Sequence, residues 1–131
     1  MSDIKKILIV EDEKDLLESY KELVETAGYE AIAVSDGYQA LDSLDKNKGK
    51  ISLVMLDLMM PGIDGLEVLR AITTNTSKYG EMPIIVLTNM TSESIIRESF
   101  ELGASSYLVK TDLDYEGLVK ELNKYLGSPE Q

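Results

Sequence analysis

The chain has 131 residues, of which 24 are acidic and 13 basic, so its formal charge at pH 7 is −11. This length fits one domain with a single core, and the acidic balance predicts no direct binding to nucleic acid or to anionic membranes. Cysteine and histidine are both absent, which excludes disulfides, Ser-His and thiol catalysis, typical zinc sites and a phosphohistidine on this chain.

Short apolar runs bounded by turn residues predict buried strands, and apolar residues at helical spacing lie between them. Asp64 is a predicted N-cap, segment 73–82 is a predicted loop, and residues 127–131 form a predicted polar tail. No apolar run reaches the roughly 18 residues of a membrane span or the core of a signal peptide, which predicts a cytoplasmic protein. The predicted strands are 7–10, 31–34, 53–56, 83–88 and 106–110.

Strands that alternate with helices in this way predict an α/β fold with a doubly wound parallel sheet. Parallel strands need crossover connections, and right-handed crossovers place helices on both faces of the sheet. No repeat or internal linker divides the chain. We therefore predict one domain over residues 1–131, with its core at about 5–126.

Asp57 directly follows the continuous apolar run of the predicted strand 53–56, just before a turn at Pro61 and Gly62. It would lie at the carboxyl edge of the sheet, where open α/β folds bind ligands. An isolated buried carboxylate is costly, so Asp57 needs a cation, a hydrogen-bond network or a chemical role.

Polar residues also stand at the ends of other predicted strands. Glu11 and Asp12 follow the first strand, Thr88 ends the fourth and Lys110 ends the fifth. Carboxylates that converge on one edge raise each other's pKa unless a hard cation such as Mg²⁺ lies among them. A hydroxyl and an ammonium beside them can hold phosphoryl oxygens, and a metal-bound carboxylate can become an aspartyl phosphate.

Each of these residues taken alone also has an ordinary structural explanation. The acidic run after the first strand is typical of a helix N-terminus, and an aspartate before Pro-Gly is typical of a turn. Thr88 fits a strand end, and a lone lysine is usually a solvated charge. Their occurrence on successive strand ends favours a functional site.

Three blocks, at 7–13, 56–65 and 102–110, make the chain resemble a response-regulator receiver domain of the single-domain, CheY-like kind. The resemblance covers about residues 5–126. It implies a flavodoxin-like sheet with strand order 2-1-3-4-5 and five helices. It also implies a signalling switch in a two-component system or phosphorelay.

The resemblance implies that Asp57 is the phosphoacceptor. The donor would be a phosphohistidine on a sensor histidine kinase or a histidine phosphotransfer protein. Mg²⁺ would bind Asp12 and Asp57 directly, Glu11 through a water, and the backbone carbonyl of Met59.

The remaining implied residues bind the phosphoryl group or report its presence. Thr88 and Lys110 would each contact a phosphoryl oxygen, and Thr88 would move inward. In similar domains this movement makes room for the aromatic at the position of Tyr107. A protein-binding face around that residue would then change shape.

Three features depart from the family pattern. Thr111 follows Lys110 where proline is frequent, and the family geometry would make this bond cis, which is costly without proline. Asn89 is larger than usual and is predicted to narrow access to Asp57. Met59 and Met90 lie where side chains tune water access, so we predict slow autodephosphorylation.

Output is predicted to pass through a downstream protein target or onward phosphotransfer, with a phosphorylation-dependent dimer as a further option. The chain is not expected to be an enzyme beyond its own phosphorylation and slow autodephosphorylation. The polar tail is equally consistent with a linker from a larger protein.

Three other classes of protein compete with this interpretation. A receiver-like binding module that ignores phosphate is the main alternative, although all five site positions are intact. A flavodoxin-like redox protein would need a Ser/Thr/Gly-rich phosphate loop after the first strand, and this chain has none there. It has Glu11 and Asp12 instead, which would repel a flavin phosphate. An aspartate-nucleophile phosphatase would need a second acid where Met59 stands.

Overall fold

Five parallel strands form one sheet in the order β2-β1-β3-β4-β5. The computed structural model describes residues 4–127. This sheet confirms both the predicted fold class and the strand order that the resemblance implied. The strands are β1 (Lys6–Val10), β2 (Glu30–Val34), β3 (Ile51–Leu56), β4 (Ile84–Thr88) and β5 (Ser106–Val109).

Within residues 4–127, six helices and a short 3₁₀ turn connect and follow the strands. Five of the helices are substantial and the sixth, α4, has four residues. Among residues 4–127, no helix has the length and apolar character needed to cross a membrane. The helices are α1 (Lys14–Thr26), α2 (Gly37–Lys46), α3 (Gly65–Thr74), α4 (Thr76–Tyr79), α5 (Glu93–Glu101) and α6 (Tyr115–Leu126), with the 3₁₀ turn at Lys110–Asp112.

Successive side chains of a strand point to opposite faces, so each central strand contributes to two cores. Leu8 and Val10 of β1 face α2, α3 and α5, whereas Ile7 and Ile9 face α1 and α6. β4 is buried along its whole length, while the edge strand β2 is partly exposed. The helices thus cover both faces of the sheet, as the alternating pattern predicts.

The prediction of a loop over 73–82 was wrong in part. Residues Thr76–Tyr79 form α4, and the ring of Tyr79 is 8% exposed and packs into the core beside α2 and α3. The carbonyl of Asn75 accepts hydrogen bonds from the backbone N–H groups of Lys78 and Tyr79. Burial of one aromatic ring stabilises a helical turn that local propensity alone does not predict.

The start of α3 packs tightly against the chain that leaves β3. Asp64 caps the helix, with its side chain accepting a hydrogen bond of 2.9 Å from the N–H of Glu67. A Cβ atom at Gly65 would lie 2.4 Å from the Cα of Leu58 and 2.5 Å from the carbonyl oxygen of Asp57. Glycine is therefore required at this position, and it fixes the backbone around Asp57.

Residues 128–131 of the predicted polar tail lie outside the described residues. Gly127, the first residue of that segment, is the C-cap of α6.

Candidate phosphorylation site

The strand ends bring the predicted site residues together at one edge of the sheet. Glu11 follows β1, Asp57 follows β3, Thr88 ends β4 and Lys110 follows β5. All four strands run in the same direction, so their carboxyl ends meet there. Asp12 lies beside Glu11 and is exposed.

Lys110 is the centre of this site. Its ammonium pairs with Glu11 Oε1 and lies 3.2 Å from Asp57 Oδ2. The side chains of Lys110, Glu11 and Asp57 are 12%, 3% and 6% exposed. Water screens such a group weakly, so these ion pairs attract more strongly than surface pairs, while the cost of removing the charges from water offsets part of that attraction.

Negative charge is in excess around this lysine. Carboxylate oxygens of Glu11, Asp12 and Asp57 lie within 4.8 Å of one another, so three acids face one ammonium. Burial raises the pKa of Glu11, the hydrogen bond from Lys110 opposes this shift, and the charge of Asp57 adds to it. A cation that joined these oxygens would relieve the repulsion.

The pKa of Lys110 is raised for the complementary reason. Burial alone would lower it, but the hydrogen bond to Glu11 and the charge of Asp57 outweigh burial. The ammonium is therefore held in its charged form within the site. For Tyr107, whose charged form is an anion, burial itself raises the pKa of the hydroxyl.

The donor set fits a hard divalent cation. It offers only oxygen ligands, with two buried carboxylates and the exposed Asp12, and Mg²⁺ binds few protein carboxylates while keeping several waters. The cluster therefore has the chemistry of a magnesium site. Glu11, Asp12 and Asp57 are the acids that the sequence predicts for it.

Asp57 is oriented by its backbone neighbours. Its N–H donates to the carbonyl of Val10 over 3.1 Å, which extends the β1–β3 pairing by one residue. Its Oδ1 accepts a hydrogen bond of 3.2 Å from the N–H of Met59. With Oδ2 contacting Lys110, each carboxylate oxygen has one defined partner.

The buried side-chain hydroxyl of Thr88 is unpaired within the described residues. The Thr88 side chain is fully buried, and its hydroxyl is the only buried side-chain polar atom without a hydrogen-bond partner among residues 4–127. An unsatisfied buried hydroxyl costs about 1–3 kcal/mol. Such a hydroxyl can donate a hydrogen bond to an oxygen atom of a ligand that binds beside it.

Tyr107 is partly buried against the core that faces α2, α3 and α5. Its hydroxyl donates a hydrogen bond of 2.7 Å to the carbonyl of Met90. β5 is thereby connected to the loop that follows Thr88.

The residues predicted to tune access divide into two groups. The side chain of Met59 is 61% exposed, and it lines an apolar groove beside Asp57 together with Met90 and Ile95. Asn89 instead turns toward the segment after β5, where its Oδ1 accepts a hydrogen bond of 3.1 Å from the N–H of Thr111.

No cis peptide bond occurs among residues 4–127, so the Lys110–Thr111 bond is trans. The cis geometry that the family pattern implies is not adopted here. Sequence pattern indicates Asn89 and Thr111 as separate departures and does not predict the hydrogen bond between them. The available signal was that both follow closely on the ends of neighbouring strands, Asn89 one residue after β4 and Thr111 two residues after β5.

Comparison with known proteins places this geometry in a family. The family model described as the response regulator receiver domain matches residues 7–123. The chain belongs to this family, and the resemblance drawn from the three sequence blocks is confirmed.

Individual relatives agree with the family match. The transcriptional regulatory protein CpxR of Escherichia coli K12 is 40% identical over 111 residues, which are 85% of this chain and 45% of that protein. The chain thus spans less than half the length of this curated relative.

Solved structures show the same fold. The chemotaxis protein CheY4 of Vibrio cholerae has a TM-score of 0.84 at 30% identity, covering 94% of this chain and 99% of that one. The BeF3-activated N-terminal receiver domain of Klebsiella pneumoniae RstA has a TM-score of 0.83 at 28% identity, covering 93% and 98%.

Proposed function

We propose that this receiver domain is a phosphoacceptor switch in which Asp57 takes a phosphoryl group from a phosphohistidine. The donor is a sensor histidine kinase or a histidine phosphotransfer protein. The observation that carries the proposal is the buried contact of 3.2 Å between Lys110 Nζ and Asp57 Oδ2, inside a cluster of three acids at the carboxyl edge of the sheet.

In the transfer, a carboxylate oxygen of Asp57 bonds to phosphorus as the bond between phosphorus and the histidine nitrogen breaks. The electron pair of that bond stays on the imidazole, and the product is an acyl phosphate. Lys110 donates to one phosphoryl oxygen and Thr88 to another. Positioning and charge neutralisation supply most of the rate in such reactions.

Mg²⁺ is the cofactor of this proposal, and when bound it neutralises charge on the phosphoryl oxygens. Asp12, Asp57 and the carbonyl of Met59 would hold it directly, and Glu11 would contact it through a water. The three carboxylates of Glu11, Asp12 and Asp57 lie within 4.8 Å of one another, and this excess of negative charge supports the assignment.

The switch begins at Thr88, whose buried hydroxyl has no partner. A phosphoryl oxygen supplies that partner and draws the β4–α5 loop toward Asp57. The hydrogen bond from Tyr107 to the carbonyl of Met90 transmits the shift to β5. The face formed by α5, β5 and α6 then changes for a downstream protein or a second copy of the chain.

Several further predictions belong to the same proposal. The chain acts as a switch and not as an enzyme on other substrates, with slow autodephosphorylation as its own reaction. It is cytoplasmic and does not contact nucleic acid or membrane itself. Any transcriptional output of the kind named for CpxR would use a segment outside the 111 matched residues.

A receiver-like module that ignores phosphate is less well supported. Such a module has no need for three acids, a lysine and a threonine hydroxyl at one buried site. In such a module the unpaired Thr88 hydroxyl would lower the stability of the fold without contributing to the binding of a phosphoryl group.

The test is the intact mass of the protein after incubation with acetyl phosphate and Mg²⁺. We expect one added phosphoryl group on the parent chain, and none on Asp57→Asn or in the presence of EDTA. Asp64→Asn is the matched control, because Asp64 caps α3 nearby and asparagine caps equally well. It should be phosphorylated like the parent.

An absent adduct would be followed by beryllofluoride, a phosphoryl mimic that needs no transfer step. Failure of the parent chain to bind it would overturn the proposal in favour of the phosphate-independent module.

A further inference from the structure

We propose that Asn89 is a positioning residue that holds Thr88 and Lys110 at a fixed spacing around Asp57. This inference rests on the proposed function of Asp57. It concerns the hydrogen bond between Asn89 Oδ1 and the N–H of Thr111, which we call the Asn89–Thr111 strap.

The strap continues the sheet beyond its last backbone pair. β4 and β5 pair as far as Thr88 and Val109. Both chains then leave the sheet, one into the loop before α5 and the other into the 3₁₀ turn. The side-chain carbonyl of Asn89 takes the role of a backbone acceptor for Thr111, over 3.1 Å.

Each end of the strap is adjacent in sequence to a phosphate-binding group. Asn89 follows Thr88, whose buried hydroxyl is unpaired, and Thr111 follows Lys110, whose ammonium contacts Asp57 over 3.2 Å. Both groups must reach the same phosphoryl group in the proposed reaction. The Asn89–Thr111 hydrogen bond already restricts Thr88 and Lys110, so less conformational entropy is lost when both contact the phosphoryl group.

Both halves of the strap are residues that depart from the family pattern. A proline at 111 would have no N–H to donate, and a small apolar residue at 89 would have no acceptor. The structure joins these two departures into one interaction. The hydrogen bond from Tyr107 to Met90 is a second tie between the same loop and β5.

This role predicts the opposite result from a screening role for Asn89. If Asn89 only narrowed access to Asp57, its truncation would speed phosphorylation by a small donor. If Asn89 positions the site, truncation slows phosphorylation, because Thr88 and Lys110 lose their fixed spacing.

The experiment has a kinetic arm and a structural arm, both on the complete chain. The kinetic arm measures phosphorylation by acetyl phosphate with Mg²⁺ for the parent and for Asn89→Ala. We expect the variant to be about threefold to tenfold slower, the range that one hydrogen bond supports. Thr91→Ala, an exposed change in the same loop, is the control and should keep the parent rate.

The structural arm follows hydrogen exchange of the Thr111 amide by NMR without any phosphate donor. We expect protection in the parent, loss of protection in Asn89→Ala and its return in Asn89→Asp, whose carboxylate oxygen has the same reach. This readout reports the strap itself and is independent of phosphoryl transfer.

A faster or unchanged rate in Asn89→Ala would overturn the positioning role. An unprotected Thr111 amide in the parent would overturn the strap. A parent chain that accepts no phosphoryl group would overturn the proposed function and the positioning role together, and the exchange arm would still decide whether the strap exists as a structural bond.

Discussion

The two edges of the sheet differ in how completely their polar groups are paired. At the amino edge, Lys5 Nζ donates to the carbonyl of Leu126 over 2.7 Å. The buried hydroxyl of Tyr29 is hydrogen-bonded to Asn123 Oδ1 and to the carbonyl of Gly127. These contacts attach the end of α6 to the start of β1 and β2.

The carboxyl edge has the opposite character. It gathers three carboxylates around one ammonium, and the Thr88 hydroxyl has no partner. The amino edge pairs these polar groups within the fold, whereas the carboxyl edge has an excess of negative charge and a buried hydroxyl without a partner among residues 4–127. The comparison separates polar groups that stabilise this fold from those held ready for a ligand.

Replacing a lysine at each edge is the strongest test of this difference. Lys110→Met leaves Glu11 and Asp57 buried without their cation, so we expect unfolding free energy to fall by about 3 kcal/mol. Phosphorylation should slow by about 100-fold or more, since a preorganised charged donor is lost. Urea unfolding and acetyl phosphate kinetics measure the two effects.

The same substitution at the amino edge is the control. Lys5→Met removes one partly buried hydrogen bond to Leu126, so stability should fall by about 1.5 kcal/mol with the phosphorylation rate unchanged. Equal losses of stability at the two edges would contradict the comparison.

Met59→Asn tests whether the apolar rim of the carboxyl edge protects the phosphoryl group. An amide at this exposed position can hold a water near Asp57, so the phosphorylated form should lose its group about tenfold faster, a change of 1.4 kcal/mol in the barrier. Decay of the phosphorylated mass with time measures it.

Met59→Leu keeps an apolar side chain of similar size and should keep the long lifetime. A parent lifetime of only seconds, or equal decay of the two variants, would count against slow autodephosphorylation.

Tyr29→Phe tests the amino edge alone. The variant leaves Asn123 and the carbonyl of Gly127 without the Tyr29 hydroxyl, which should cost about 1 kcal/mol of stability without affecting phosphorylation. Tyr38→Phe is the matched control, because the Tyr38 side chain is 67% exposed. A slower phosphorylation rate in Tyr29→Phe would show that the two edges are coupled.

The smallest expected effect is a gain in stability at the carboxyl edge. Asp57→Asn removes one of the repelling carboxylates, so without divalent cations we expect about 0.5 kcal/mol of stabilisation. Added MgCl₂ should raise the unfolding temperature of the parent more than that of the variant. Identical responses to MgCl₂ would argue against a metal site that includes Asp57.

The parallel sheet and the position of the site were accessible from the sequence because both follow from pattern, whereas the order of the strands came from the resemblance to receiver domains. Apolar runs define the strands, and parallel pairing sends each strand end to the same edge. This rule alone predicts that Glu11, Asp57, Thr88 and Lys110 lie together. The resemblance to receiver domains then supplied their roles.

Interactions between distant side chains were not accessible in the same way. The helix α4 forms because Tyr79 packs into a core assembled from other elements. The strap depends on the direction that the Asn89 side chain takes, and the unpaired state of Thr88 depends on every neighbour around it. Local sequence contains none of this information.

The tight contact at Gly65 has a consequence for how such a domain can diversify. Because any side chain there would collide with the backbone at Leu58 and Asp57, the proposed acceptor Asp57 lies against a backbone position that accepts only glycine. Variation in signal duration must therefore arise at the rim, through residues such as Met59 and Asn89. A random-mutagenesis screen for altered signal lifetime should recover substitutions at 59, 89 and 90, and none at 65.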